Sequence, residues 1–425
     1  MSAYGYSRNT TPFIDSLAKN GVLFRTAYSH SNWTVPATAS LLTSRLPSEH
    51  GAGIAGKMRL LGEDTPILQI HDDVDTLATI LKRAGYKTGF FSANPFLKGN
   101  FTKGFDHAAV EWHPAKDLTA AATQWLGKQP KDAPFFLYVQ YMDLHDPLRP
   151  PPPYFDLFKV TEGGKRGMEH TGTSWGEIRT GSDLQRPDFR QWRAHHVALY
   201  DGALRYVDDS ARGIYRYLEE LGRRDDTLFV ITSDHGEEFF DHAVDESTDT
   251  NNPRPHWGIG HGHTMYEELL RVPLIFSGPA VSQHRMVDCV ARHIDVLPTL
   301  LELLEIPGPR TMRGTSLQPS FGSAEPPPCN ATTVIAESPA YGPDSRAVLF
   351  NQRKLIARSD GVQFLFDLRD DPKEHRNVAA QRPELVAALR TILDREQAGT
   401  RVRTAVAMPV DEETKRQLRA LGYLK

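Results

Sequence analysis

The hydrophobic and polar positions of this chain alternate between short apolar runs and longer stretches with helical spacing. Apolar runs rich in β-branched and aromatic residues predict strands over Val22–Ser29, Lys87–Ala93, Pro134–Tyr141, Leu228–Ser233 and Val272–Ser277. Helical spacing and helix-end residues predict helices over Pro12–Lys19, Ala37–Ser44, Asp75–Ala84, Leu118–Leu126, Trp192–Leu221 and Met265–Leu270. Because helices alternate with strands that read as buried, we predict an α/β fold with a mostly parallel sheet and helices on both faces.

A different pattern begins after Pro326-Pro327-Pro328. Short runs follow one another without intervening helices, namely TVIAE, AVLF, RKLIAR and VQFLFDL, and Pro383–Gln397 reads as a helix. This pattern predicts a smaller α+β domain with an antiparallel sheet over residues 326–425, after a larger domain over residues 1–325. Two polar stretches, residues 159–190 and Asp241–His256, predict surface loops, the second one over the cleft.

The composition excludes several classes of function. The 425 residues carry a formal net charge of −4, so we expect no nucleic-acid partner. No apolar run reaches the roughly 18 residues that are needed to cross a bilayer. Cys289 and Cys329 lack the spacing of metal ligands but are able to form one disulfide, which leaves both a periplasmic and a cytoplasmic location open.

Titratable residues follow two of the predicted strands directly. Asp234 and His235 follow Leu228–Ser233, and His145 follows Pro134–Tyr141. Open α/β sheets bind their ligands at the carboxyl ends of the strands, where a carboxylate beside an imidazole is suited to a metal ion. An isolated Asp-His-Gly is more often a strand-to-helix turn with an aspartate cap, and an isolated histidine beside a proline turn is more often structural.

Thr34 and a pair of histidines add to this pattern. Thr34 lies where a helix begins, and the free N–H groups of a helix start favour an anion there. The alternative is that Thr34 only caps the helix. His261 and His263 precede the predicted helix Met265–Leu270, so histidines recur on both sides of the polar stretch that follows Asp234.

A series of segments stands in a characteristic order along the chain. They are YGYSRNTTPFIDSLAKNGVLFRTAYS, WTVPATASLLTSRLPSEHG, AGYKTGFFSANPFL, PFFLYVQYMDLHDPLRPPPPY, ITSDHGEEFFDH, GHGHTMYEELLRVPLIF, HIDVLPTLLELLEIP, FLFDLRDDPKEHRNVA and LRALGYL. In sequence, order and spacing these segments resemble the sulfatase family of the alkaline phosphatase superfamily. The resemblance covers nearly the whole chain.

The resemblance implies a three-layer α/β/α sandwich with a smaller C-terminal domain of antiparallel strands, and a site that holds one divalent metal ion. It places Thr34 at the position of the nucleophile and Asp234 and His235 among the metal ligands. It places His145 against the ester or leaving group, and His261 or His263 on the transferred group. The implied ion is Ca²⁺ or Mg²⁺, although mixed oxygen and nitrogen ligands also fit Zn²⁺ or Mn²⁺. The implied substrate is a small-molecule or glycan sulfate or phosphate ester.

The chain departs from the family's pattern at the nucleophile. Typical sulfatases have a Cys or Ser that is converted to formylglycine, a conversion that is not available to Thr34. The arginine expected four residues later is Thr38, and Ser92-Ala93-Asn94-Pro95-Phe96 replaces a segment that usually supplies a Lys and a His. A threonine nucleophile, and a histidine at position 235, resemble the phosphate-processing relatives of the superfamily.

The start of the chain is the second departure. The family's first strand carries an Asp or Asp-Asp pair that binds the metal, just upstream of AYGY, whereas this sequence begins at Met1-Ser2-Ala3. We expect a start assigned too far downstream rather than true loss, because losing a buried central strand leaves its neighbours' backbone groups unpaired. Within residues 1–425, Asp234 and His235 are the obvious ligands, with Thr34 as a candidate third, and these are too few for tight binding of a hard cation.

Three functions compete at this point. The first is a metal-dependent hydrolase of sulfate or phosphate esters, the second a non-catalytic family member that binds an anionic ligand, and the third transfer of a phospho-alcohol group through Thr34.

We expect the other polar residues near the motifs to take no direct part in the chemistry. We expect Glu237, Glu238 and Asp241 on a solvated face or around the site, His242 and His256 as incidental loop residues, and Glu267 and Glu268 as packing and capping partners.

Overall fold

The structure is a computed structural model that describes residues 1–56, 66–159, 187–247, 249, 258–281, 284–322, 329, 332–398, 406–408 and 411–420. The predicted excursion at residues 159–190 and the end of the predicted loop with His256 lie largely outside these residues. The helices are α1 Pro12–Lys19, α2 Thr34–Thr43, α3 Pro47–His50, α4 Leu77–Arg83, α5 Ala115–Gly127, α6 Pro187–Glu220, α7 Ala243–Ser247, α8 Glu267–Leu270, α9 His293–Leu303, α10 Pro383–Ala398 and α11 Glu412–Ala420.

The strands of the larger part of the chain form two main sheets and two short ribbons. They are β1 Gly21–Tyr28, β2 Gly53–Ile54, β3 Ile67–Leu68, β4 Lys87–Ser92, β5 His107–Val110, β6 Phe135–Gln140, β7 Phe229–Thr232, β8 Glu238–Phe239, β9 Ile259–Gly260, β10 Arg271–Ser277, β11 Arg285–Val287 and β12 Ala291–Arg292. One main sheet has the order β11-β1-β10-β7, with β12 also on β1, and the other has the order β5-β4-β6. Within the two main sheets all pairs are parallel except those of β10, which runs antiparallel to both β1 and β7. The two ribbons, β2-β3 and β8-β9, are antiparallel. The predicted mostly parallel sheet is therefore confirmed.

Helices cover both faces of this sheet because alternate residues of a strand point to opposite sides. Val22 and Phe24 of β1 pack with Val296 of α9 on one face. Leu23, between them, packs with Leu17 of α1 on the other. The predicted three-layer arrangement of helix, sheet and helix is confirmed.

The prediction that β6 and β7 are fully buried is wrong. Every residue of both strands is only half-buried. Each strand is the edge of its sheet, and no strand among the described ranges pairs with its outer side. The two edges are neighbours, since Phe229 of β7 packs against the cluster that contains Phe135, Leu137 and Val139 of β6.

The C-terminal runs form an antiparallel sheet, as predicted. Its strands, in order, are β13 Val334–Ala336, β14 Ser345–Phe350, β15 Arg353–Arg358 and β16 Gln363–Asp367. One face packs against Tyr28, Tyr266 and Leu270 of the larger part, and α10 covers the other. The chain then returns to the larger part, where Ala407 bridges to Leu68.

Cys289 and Cys329 form a disulfide across 40 residues of sequence. It ties the end of β11 to the segment that leads into the C-terminal sheet. Among the helices of the described residues, none combines the length and the apolar character that crossing a bilayer requires.

A buried ion cluster joins the C-terminal sheet to the larger part. The Nζ of Lys354 in β15 lies 3.1 Å from Glu267 Oε1 and 2.9 Å from Glu374 Oε1, and the Lys354 side chain is only 1% exposed. Tyr28 donates a hydrogen bond to Glu267 Oε2 at 2.9 Å, and the amide of Glu267 donates to Glu374 Oε2 at 2.6 Å. Glu267 is thus a packing partner, as expected, and its counterion comes from a strand distant in sequence.

Replacing Lys354 with Met should lower the free energy of unfolding by about 3–5 kcal/mol, because two buried carboxylates lose their cation. Urea denaturation measures the change. The control is Lys82→Met, which removes an exposed partner of Asp106 and should cost less than about 1 kcal/mol. Equal losses in the two variants would contradict the assignment of Lys354 as the ion that holds the two parts together.

Candidate active site

Two elements that are distant in sequence meet at the carboxyl end of β7. Asp234 and His235 follow this strand directly, and Thr34 is the first residue of α2. The Oγ1 of Thr34 lies 3.3 Å from His235 Nε2, and Thr34 is only 4% exposed. The helix begins at Thr34, two residues before Pro36, so the hydroxyl lies beside the first N–H groups of α2, where an anion is favoured.

Hydrogen bonds fix the His235 ring in one orientation. His235 Nδ1 lies 2.7 Å from the carbonyl oxygen of Gly236, so Nδ1 carries the proton that this contact requires. Nε2 then presents its lone pair to the site, where Asp234 Oδ2 lies 3.5 Å away. A histidine held through its other nitrogen by a carbonyl is the usual arrangement of a metal ligand.

Asp234 is held from two sides. Its Oδ1 accepts a hydrogen bond from the His235 amide at 3.1 Å, and its Oδ2 accepts one from Gln140 Nε2 at 3.0 Å. Burial opposes ionisation of Asp234, but nearby His235, the Thr34 hydroxyl and His261 outweigh it and lower the pKa of this carboxyl. Asp234 is therefore ionised, as a metal ligand must be.

Two more of the predicted histidines line this site. The His261 ring centroid lies 4.2 Å from that of His235 and 5.1 Å from that of His145. His261 Nδ1 contacts Glu237 Oε2 at 3.0 Å, while His145 Nδ1 lies 2.6 Å from the carbonyl oxygen of Asp146. Burial first, and then His261, lower the pKa of His145 to about 4, so this ring is neutral near pH 7.

The structure places His263 elsewhere. Its Nε2 contacts Glu238 Oε2 at 2.7 Å and Glu246 Oε1 at 2.8 Å, in a buried cluster separate from Asp234 and His235. His261 and His263 are separated by Gly262, whose φ of +87° turns the chain between them and directs the two imidazoles to different partners.

Of the two positions expected for Glu238, the solvated face is excluded and the place around the site remains, because Glu238 is fully buried. One expectation about the neighbouring polar residues is wrong. His242 is not incidental, because it is buried, stacks on Tyr266 with ring centroids 3.7 Å apart, and contacts Glu268 Oε1 at 2.6 Å. Burial disfavours its charge, but the Glu268 carboxylate raises the pKa of His242 to about 9.

Sequence reasoning missed two polar residues of the site. Gln140, which donates to Asp234, is the last residue of β6 and stood inside a run that we took as buried. His293 is the first residue of α9, and its Nε2 lies 3.1 Å from Thr232 Oγ1 at the end of β7. The polar residue that ends the PFFLYVQ run was a signal for Gln140, whereas no local pattern pointed to His293.

Comparison with known proteins places the chain in a family. The family profile Sulfatase matches residues 1–306, and the profile N-sulphoglucosamine sulphohydrolase, C-terminal, matches residues 256–399. The chain belongs to the sulfatase family of the alkaline phosphatase superfamily, a family of sulfuric and phosphoric ester hydrolases.

Characterised relatives are similar over most of the chain. Arylsulfatase K of Xenopus laevis is 26% identical over 90% of this chain and 78% of its own length. The multifunctional alkaline phosphatase superfamily protein PehA of Trinickia caryophylli is 25% identical over 89% of this chain and 87% of its own length.

Solved structures share the fold. A protein in complex with its substrate D-glucosamine-2-N,6-O-disulfate superposes with a TM-score of 0.73, at 19% identity, over 94% of both chains. The phosphonate monoester hydrolase of Agrobacterium radiobacter superposes with a TM-score of 0.70, at 20% identity, over 97% of this chain and 95% of the other.

Sulfatases generally bind a divalent metal ion, and the residues at the end of β7 fit one. The ionised Asp234 oxygen, the lone pair of His235 Nε2 and the Thr34 hydroxyl face one another and supply mixed oxygen and nitrogen donors.

Replacing Gln140 with Leu should weaken divalent-metal binding by about 10–100-fold, because the amide that orients Asp234 is lost. Calorimetric titration with Mn²⁺ or Zn²⁺ measures the affinity. Gln129→Leu is the matched control, since Gln129 lies away from the site and its Nε2 donates to the Trp125 carbonyl in its own helix region. Unchanged affinity in the Gln140 variant would show that Asp234 needs no support from β6.

Proposed function

We propose that this protein hydrolyses phosphate and sulfate esters with Thr34 as the nucleophile, and that phosphate esters are the better substrates. The proposal rests on one observation above all. The buried Thr34 hydroxyl stands at the start of α2 and within 3.3 Å of His235 Nε2, beside the ionised Asp234.

In the first half of the reaction, Thr34 Oγ1 bonds to the phosphorus or sulfur and the bond to the leaving oxygen breaks. Thr34 loses one proton, and the leaving alcohol gains one. In the second half, water attacks, the bond to Thr34 breaks, and the hydroxyl regains its proton. The N–H groups at the start of α2 favour the anionic group during both halves.

The two histidines take different parts in this scheme. Glu237 holds Nδ1 of His261, so the other nitrogen, Nε2, is the one that would bond to the transferred group or the leaving oxygen. His145 is neutral and directs Nδ1 to the Asp146 carbonyl, which suits its other nitrogen to accepting a hydrogen bond from the substrate.

Asp234 and His235 would hold a divalent ion next to Thr34. When bound, such an ion lowers the pKa of a ligated hydroxyl and neutralises charge on the transferred group. The chain's own contribution is to keep Asp234 ionised and to hold the His235 ring through Nδ1, so that Nε2 faces Thr34.

The preference for phosphate follows from the chemistry of the covalent intermediate. A hydrated formylglycine expels sulfate by collapsing to an aldehyde, whereas a threonine sulfate ester has no such route and must be hydrolysed. A threonine phosphate ester is hydrolysed by attack of water at phosphorus and needs no aldehyde. The absence of formylglycine therefore slows the turnover of sulfate esters more than the turnover of phosphate esters.

Thr34→Ala should lower kcat by at least about 1,000-fold, because the nucleophile is removed, while Thr34→Ser should retain activity. Steady-state assays with nitrophenyl phosphate test both variants. Thr43→Ala is the control at the other end of the same helix, where the Thr43 hydroxyl donates to the Ala39 carbonyl. Full activity of Thr34→Ala would remove Thr34 as the nucleophile.

Wild-type protein should turn over nitrophenyl phosphate mono- or diesters with a higher kcat/KM than nitrophenyl sulfate. Side-by-side kinetics at saturating Mn²⁺ or Zn²⁺ measure the ratio. A large preference for the sulfate would overturn the argument from the intermediate.

The same assays separate the other two hypotheses. With a phosphodiester substrate, an added alcohol reports transfer instead of hydrolysis through formation of a new phosphodiester. Binding without turnover of any ester would favour the non-catalytic hypothesis.

A further inference from the structure

A second group of possible metal ligands lies beside the active site. Glu238 of β8, Glu246 of α7 and His263 come together from three separate segments, and their ligand atoms all lie within 4.8 Å of one another. The side chains of Glu238, Glu246 and His263 are only 0%, 5% and 3% exposed. Carboxylates are almost never buried in this way without a cation or a full set of donors.

Backbone amides hold both carboxylates in place. Glu238 Oε1 accepts a hydrogen bond from the His242 amide at 3.1 Å, and Glu246 Oε2 accepts one from the Gly258 amide at 2.6 Å. The remaining oxygens, Glu238 Oε2 and Glu246 Oε1, both turn toward His263 Nε2, at 2.7 and 2.8 Å. A single imidazole nitrogen carries at most one proton, so it cannot donate fully to both.

The charge of this ligand set suits a divalent ion. Two carboxylates and one neutral imidazole carry two negative charges, which one divalent ion neutralises. The three ligand atoms already converge on one buried point, within 4.8 Å of one another.

We propose that Glu238, Glu246 and His263 bind a second divalent metal ion, distinct from the ion at Asp234 and His235. One nitrogen and two carboxylate ligands favour Zn²⁺ or Mn²⁺ over Ca²⁺ or Mg²⁺, which prefer oxygen alone. The ion joins β8, α7 and the segment after β9. Because Glu237 and His261 of the active site belong to these same β8 and β9 segments, the ion also fixes their position.

The competing explanation is an ion pair in which His263 and Glu238 share the available protons. It requires no metal, so metal content separates the two. The proposal does not depend on ester hydrolysis, and its test needs no substrate.

The experiment counts metal ions on stripped protein. The full chain is treated with a chelator, dialysed against Zn²⁺ at pH 7.5 and assayed by elemental analysis, with Co²⁺ absorption spectra as a second readout. Wild-type protein should bind two equivalents. Asp234→Asn should keep one equivalent, in the cluster, and this variant leaves the three proposed ligands intact.

Glu246→Gln and His263→Gln should each lose one equivalent and keep the ion at Asp234. Asp245→Asn, which changes the adjacent and exposed residue of α7, should keep both. Circular dichroism and the retained ion show that each variant is folded. If Asp234→Asn binds no Zn²⁺, or if Glu246→Gln binds as much as wild type, the cluster is an ion pair and the proposal is wrong.

Discussion

The assembly of the site depends above all on keeping the buried carboxylates around it next to a cation or a set of donors. Three such carboxylate groups surround β8 to β10. Asp234 is held by Gln140, a backbone amide and two histidines. Glu267 and Glu374 are held by Lys354, and Glu238 and Glu246 by His263. Leaving one of these charges unpaired costs several kcal/mol, comparable to the whole stability of a domain. The segments that carry them are therefore fixed relative to one another.

This constraint explains how the site is assembled. The half-buried edges of β6 and β7 are neighbours, so the end of β6 brings Gln140 to Asp234, which follows β7. The start of α2 then brings Thr34 to His235. The C-terminal sheet stabilises the far side, because Lys354 pairs with Glu267 in the helix before β10. The fold and the site thus depend on the same packing of β7 and β10.

Much of the architecture was predictable because its signals are local. The bounds of α1 agree exactly with the predicted Pro12–Lys19, where a proline start and a following glycine mark both ends. The mostly parallel sheet and the C-terminal antiparallel sheet followed from run lengths and from the presence or absence of helices between them. The antiparallel direction of β10 could not be predicted, because it depends on pairing with strands that are distant in sequence. The half-burial of β6 and β7 was missed because it depends on the position of each strand at the edge of its sheet, which is also set by distant pairing.

The candidate site also has a part that was predictable from the sequence and a part that was not. The sequence by itself determined the candidates, since Thr34, His145, Asp234, His235 and His261 all stand at strand or helix ends, where side chains are not needed for the core. Only the tertiary structure decided which of them meet. His261 and His263 are two residues apart, yet one faces His235 and the other faces Glu238 and Glu246. Contacts with residues distant in sequence set the orientation of each imidazole, because the free energy of a buried charge depends on its neighbours in space.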